Sequence, residues 1–126
     1  MERTAQCHCG SLRVTATGDP ERVYLCHCKA CQRRTGTAFH FGATYLKERV
    51  RLDGERKIDE RDADSGYRIR FHFCPNCGST LYWEGDRNPA VCGALRIKGD
   101  LHKTIGLSGA SPHRVRYLST EEAVGG

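Results

Sequence analysis

Seven of the eight cysteines in this 126-residue chain fall into three tight groups: Cys7 with Cys9, then Cys26, Cys28 and Cys31, then Cys74 with Cys77. Thiols one or two residues apart suit metal ligation better than disulfide bonding, because disulfide geometry is hard to satisfy between near neighbours. The opening MERTAQCHCG lacks the apolar run of a secretory signal, so a reducing compartment is expected and a disulfide framework is not. Zinc is the first metal such a set suggests. A structural zinc takes four ligands, and the two pairs together supply four. The trio is then one ligand short, which is the arrangement of a zinc that keeps a position for water or substrate. The alternative is that Cys92, His27, His40 or His72 closes the second site and makes it structural as well.

The residues around each group indicate how it is held. CPNCG places Cys74 and Cys77 on one tight turn, with Pro75 restricting the bend and Gly78 free to take positive φ. Cys7 and Cys9 are two apart, so on an extended strand their side chains would leave one face while His8 points the other way. By the same geometry His27, between Cys26 and Cys28, is a poor ligand for their ion and is expected in a supporting or surface position. The stretch CHCKACQRRTG turns basic after the trio. A short helix over CKACQRRT would carry Lys29, Arg33 and Arg34 beside the open position, where they could hold substrate carboxylates. His27, His40 and Tyr67 are conceivable proton donors, and position singles out none of them. Cys92, in AVCGAL, reads as a buried core thiol, and Trp83 reads as core instead of a binding platform.

The elements that must position these groups are mostly strands. Period two is clearest in YRIRFHF, where Tyr67, Ile69, Phe71 and Phe73 alternate with Arg68, Arg70 and His72 as a half-buried strand. SLRVTAT, RVYLCHC, AFHFGATYL, KIDER, STLYWE and AVCGAL read as further strands. Turn chemistry falls at Gly18-Asp19-Pro20, Asp53-Gly54, Asp64-Ser65-Gly66 and Gly85-Asp86. TYLKER suggests one helical turn, and no segment sustains a long 3.6-residue stripe. The fold class is therefore all-β. The length fits one domain over residues 1–126, with STEEAVGG, residues 119–126, as a flexible tail. With 14 glycines and 28% charged residues the core is thin for its size, and a metal would serve as a staple. No run of 18 apolar residues suggests a membrane span, so a soluble, cytoplasmic protein is expected.

Taken in order, CHCG, CHCKACQRRTG and FCPNCGSTLYW resemble the glutathione-dependent formaldehyde-activating enzyme family, which shares its domain with centromere protein V, over roughly residues 4 to 118. The resemblance implies a β-tent of small antiparallel sheets and two zinc ions per chain. It implies a structural zinc on Cys7, Cys9, Cys74 and Cys77 and a functional one on Cys26, Cys28 and Cys31. It further implies a carbon–sulfur lyase that joins glutathione to formaldehyde as S-(hydroxymethyl)glutathione, or splits that adduct. A zinc carrying three thiolates keeps little Lewis acidity, and an incoming thiol suits it because the metal holds that thiol as thiolate. Other thiol adducts would fit the same site.

Two competing readings involve no catalysis at an open site. The formal charge of +5 suggests nucleic-acid binding, but seven thiolates with two divalent cations lower it by three, and no basic block is longer than Arg33-Arg34. The aromatics alternate as core positions, not as a stacking platform. Crowded thiols also suit a metal-handling or redox protein, or a zinc module in which both sites are structural.

Overall fold

The computed structural model describes residues 2–63 and 65–94 and the backbone of 115–118. The expected tail over 119–126 lies outside them, as do Asp64 of one expected turn and Leu95 of AVCGAL. The strands are β1 (Glu2–Gln6), β2 (Arg13–Thr17), β3 (Arg22–Cys26), β4 (His40–Leu46), β5 (Val50–Asp53), β6 (Lys57–Asp62), β7 (Arg68–Phe73), β8 (Thr80–Gly85), β9 (Val91–Ala94) and β10 (Val115–Leu118). A short helix, α1 (Lys29–Thr35), follows β3, and a 3-10 turn at Lys47–Arg49 ends β4 where TYLKER suggested one. Two antiparallel sheets result, one ordered β1-β2-β5 and the other β10-β3-β4-β9-β8-β7-β6. The fold is all-β. Among the described residues no helix is long and apolar enough to cross a membrane.

Register assigns the two faces of the larger sheet. Val23, Ala43, Ala94 and Tyr82 align across β3, β4, β9 and β8, and Tyr45 and Cys92 lie on the same face two residues along. That face packs against Ala5, Leu12, Val14 and Ala16 of the smaller sheet to form the core. The opposite face carries Cys26, Tyr24, His40, Gly42, Gly93, Trp83, Phe71 and Ile69.

Because both faces are covered, simple alternation fails in YRIRFHF. Its strand begins at Arg68, leaving Tyr67 ahead of it and 50% exposed, while Phe71 and His72 are both buried. Phe71 faces Trp83 at 6.5 Å between ring centroids on one side, and His72 meets Tyr82 edge-on at 4.9 Å on the other.

Candidate metal centres and the adjoining cavity

Cys7 and Cys9 sit on the turn between β1 and β2, not on an extended strand. Gly10 N–H donates to Cys7 O at 3.1 Å and Gly10 takes φ 82°, so the chain reverses there. Curvature, not strand periodicity, brings the two sulfurs to 3.6 Å. His8, between them, is exposed. The CPNCG turn between β7 and β8 repeats the design: Gly78 N–H donates to Cys74 O at 2.8 Å with Gly78 at φ 76°. Each loop is closed five residues on, by Cys7 N–H to Leu12 O and Cys74 N–H to Ser79 O, both at 3.0 Å. The loops face each other across the two sheets, with Cys9 and Cys74 Sγ 3.6 Å apart and all four sulfurs within 4.8 Å of one another. Four sulfurs at about 2.3 Å from a tetrahedral zinc stand about 3.8 Å apart, so this set fits that ion. The Ser11 hydroxyl, 3.0 Å from Cys9 Sγ, holds that thiol down at about 7, and the Ser79 hydroxyl, 3.3 Å from Cys77 Sγ, holds Cys77 at about 5. Both shifts favour the thiolates a metal needs.

The trio is local in sequence. Cys26 ends β3, and Cys28 caps α1, its sulfur accepting from Cys31 N–H at 3.4 Å. Cys31 lies in the helix's first turn, and Gly36 at φ 69° ends the helix by donating to Gln32 O at 2.9 Å. The three sulfurs lie within 4.8 Å of one another, and no other described residue joins them. Cys92 is in the core, 2% exposed, its thiol donating to Tyr45 O at 3.6 Å. His72 is on the opposite face of the sheet, and His27 is buried against Phe39 at 5.8 Å instead of standing at the surface. A hydrogen bond from Cys31 holds Cys26 at about 5, and the same contact pushes Cys31 well up. Adjacent thiolates repel, and a divalent cation among the sulfurs would offset that repulsion. This donor set fits zinc with three protein ligands.

A cavity of about 270 Å³ opens on the trio. Tyr24, His40, Phe71, Ile69 and Trp83 line it. Glycines make room for the Trp83 indole: a Cβ on Gly93 would lie 2.0 Å from Trp83 Cε2, and one on Gly42 would lie 2.8 Å from Trp83 Cζ2. Trp83, 6% exposed, is thus both core residue and cavity wall. Of the three basic residues after the trio, Arg34 lines the cavity, whereas Lys29 and Arg33 are exposed and do not. Arg61 on β6 lines it too, a residue missed in the sequence because only sheet register brings it there. Arg34 lies over the Phe71 ring at 4.6 Å and Arg61 over the same ring at 5.2 Å. Neither has a carboxylate partner among the described residues, while neighbouring Arg68 pairs with Glu60 and Asp62, and Arg70 with Glu84 and Asp86. Burial pulls the Arg34 guanidinium down and the Cys31 sulfur opposes that pull. Arg34 Nη2 lies 2.8 Å from His40 Nδ1, and burial with the Arg34 charge holds His40 down at about 3. Tyr67 instead lines a second cavity of about 210 Å³, which shares Ala63, Ile69 and Trp83 with the first.

Fold and site together define a class: an all-β protein with two groups of cysteines able to hold metal ions. Residues 2–110 match the model of the glutathione-dependent formaldehyde-activating enzymes, and the chain belongs to that family. An uncharacterized lyase of Schizosaccharomyces pombe is 28% identical over 100 residues, covering 78% of this chain and 70% of the yeast protein. The crystal structure of a Rhodobacter sphaeroides protein shares the fold, with TM-score 0.52 and 21% identity over 86% of this chain and 91% of that one.

Proposed function

We propose that this protein is a zinc-dependent carbon–sulfur lyase that joins a small thiol such as glutathione to an aldehyde such as formaldehyde, or releases it. One observation carries the reading: three sulfurs, gathered with no fourth ligand among the described residues, face a cavity that also holds two arginines lacking carboxylate partners. Cys26, Cys28 and Cys31 hold the working zinc, and Cys7, Cys9, Cys74 and Cys77 the structural one, two ions per chain. The lyase name of the yeast relative agrees with this reading.

Zinc at the trio would supply a bound thiolate nucleophile at neutral pH. The chain's own residues do the rest. Arg34 and Arg61, both stacked on Phe71, bind the carboxylates of a peptide thiol and fix its direction. Trp83 and Ile69 line the same cavity and lend it an apolar surface. In synthesis a carbon–sulfur bond forms, the carbonyl π bond breaks, and the oxygen takes up a proton; cleavage reverses each change. Cysteines that form no disulfide suit a reducing compartment, and we place the protein in the cytoplasm on that ground.

The test is zinc content and adduct-forming rate, measured on the purified full chain and on Cys28→Ser. The expected result is two ions and a rate above the spontaneous one for the first, and one ion, an intact fold and no acceleration for the second. A zinc-loaded protein that leaves the spontaneous rate unchanged would overturn the assignment to this pair of substrates.

A further inference from the structure

We infer that His40 is a positioning residue that sets the preference for thiols bearing a carboxylate, by holding the Arg34 guanidinium in place as its hydrogen-bond acceptor. The inference rests on the proposed function, which gives Arg34 a substrate carboxylate to bind. A guanidinium carries N–H donors and no acceptor. Arg34 Nη2 is 2.8 Å from His40 Nδ1, so that nitrogen must present its lone pair, and the ring proton sits on Nε2. Nε2 lies 3.3 Å from Tyr24 Oη, an oxygen able to accept a hydrogen bond from it whatever else that hydroxyl bonds. His40 is therefore neutral at this contact, and its Nδ1 has no proton to give. Both residues line the cavity with Cys26, Cys28 and Cys31.

Three elements meet at this contact. Arg34 is in the last turn of α1, His40 begins β4 opposite Cys26, and Phe71, whose ring centroid is 4.6 Å from the guanidinium, is on β7. The imidazole is 3% exposed and sits edge-on to Trp83 at 4.8 Å and to Tyr24 at 5.6 Å, so packing fixes the direction in which Nδ1 faces. Arg34 is thus held at one nitrogen by His40 and across its plane by Phe71. It has no carboxylate partner among the described residues, and its Nε–H has no hydrogen-bond partner. A planar guanidinium takes a carboxylate through two parallel N–H bonds only in the right orientation. A neighbour that fixes the plane beforehand removes the ordering cost from binding without touching the ligand. A thiol with no carboxylate gains nothing from that arrangement, so His40 acts on selectivity.

Adduct formation with formaldehyde on the zinc-loaded full chain tests the idea, with glutathione compared against 2-mercaptoethanol, a thiol that has no carboxylate. His40→Leu removes the acceptor, so the ratio of kcat/KM for glutathione to that for 2-mercaptoethanol should fall about 10-fold, through KM for glutathione. His40→Gln should restore most of the ratio, because an amide oxygen can accept from Arg34. In an Arg34→Met background His40→Leu should move the ratio by less than about twofold, since the two residues act as a unit. In the unmodified protein, where no substitution can disturb the fold, the nitrogen chemical shifts of His40 should show an unprotonated Nδ1 and a protonated Nε2. An unchanged ratio in folded His40→Leu, no rescue by glutamine, or a protonated Nδ1 would each overturn the inference. A wild-type protein that accelerates the reaction of neither thiol would instead sink the proposed function. His40's part is then read from calorimetry, in which Kd for glutathione should rise about 10-fold in His40→Leu, and an unchanged Kd would overturn it.

Discussion

At the scale of the residue, charge in the cavity decides what binds. A buried guanidinium is costly unless an anion answers it, and for Arg34 the Cys31 sulfur opposes part of that cost. Arg61 has no carboxylate partner among the described residues, and on the proposed function it is left to the substrate. Arg61→Met should therefore raise KM for glutathione about 10-fold with kcat nearly kept, the loss of roughly one charge-assisted hydrogen bond. Arg33→Glu, on the exposed side of α1, should change KM by less than about twofold, as a remote surface charge does. Steady-state kinetics decide between them, and the reverse ranking would move the anion site to the outer face of the helix. Cys92→Ala should leave two zinc ions bound and cost about 1 kcal/mol of stability, since it removes a buried sulfur from the core and touches no ligand. The clustered cysteines were legible in the sequence because ligand spacing is a local property. Arg61 was not, because it reaches the site only through the register of β6 on β7.

At the scale of the element, the site depends on glycines that make a slot for Trp83. A Cβ at Gly93 would stand 2.0 Å from Trp83 Cε2, closer than any repacking around a fixed indole allows. Gly93→Ala should expel the indole and cost about 3 kcal/mol, the upper range for overpacking a core. Urea unfolding measures the cost, and because Trp83 is the sole tryptophan its emission should shift toward that of solvent-exposed indole. An unshifted spectrum would mean that the sheet, not the side chain, gives way. Period two announced β2, β3, β4 and β6 through β9, since each alternates or carries β-branched and aromatic residues. It did not announce β1, β5 or β10: ERTAQ and VRLD become strands by pairing with either edge of β2, and VRYL by pairing with β3. It also placed Cys7 and Cys9 on a strand, because nothing in the alternation shows that Gly10 reverses the chain.

At the scale of the whole molecule, the two clusters differ in how much chain they close. The trio lies within α1 and the end of β3, so an ion there constrains almost nothing that the local backbone does not already fix. The quartet joins the β1–β2 turn of the small sheet to the β7–β8 turn of the large one, with Cys9 and Cys74 65 residues apart in sequence. Closing a loop of that length removes about 4 kcal/mol of unfolded-state entropy by the estimate used for disulfides, a large part of the stability of a domain this small. Burial does not separate the clusters, since Cys9 is exposed and Cys31 buried, so the difference lies in the length of chain that each would close. Chelation should therefore proceed in two stages. The first ion should leave the trio with activity lost and far-UV circular dichroism unchanged. The second should leave the quartet only as the sheets unfold, and Cys77→Ser should show that unfolding without chelator where Cys28→Ser does not. Loss of both ions in one step, with the fold intact, would show that the quartet does not tie the sheets together.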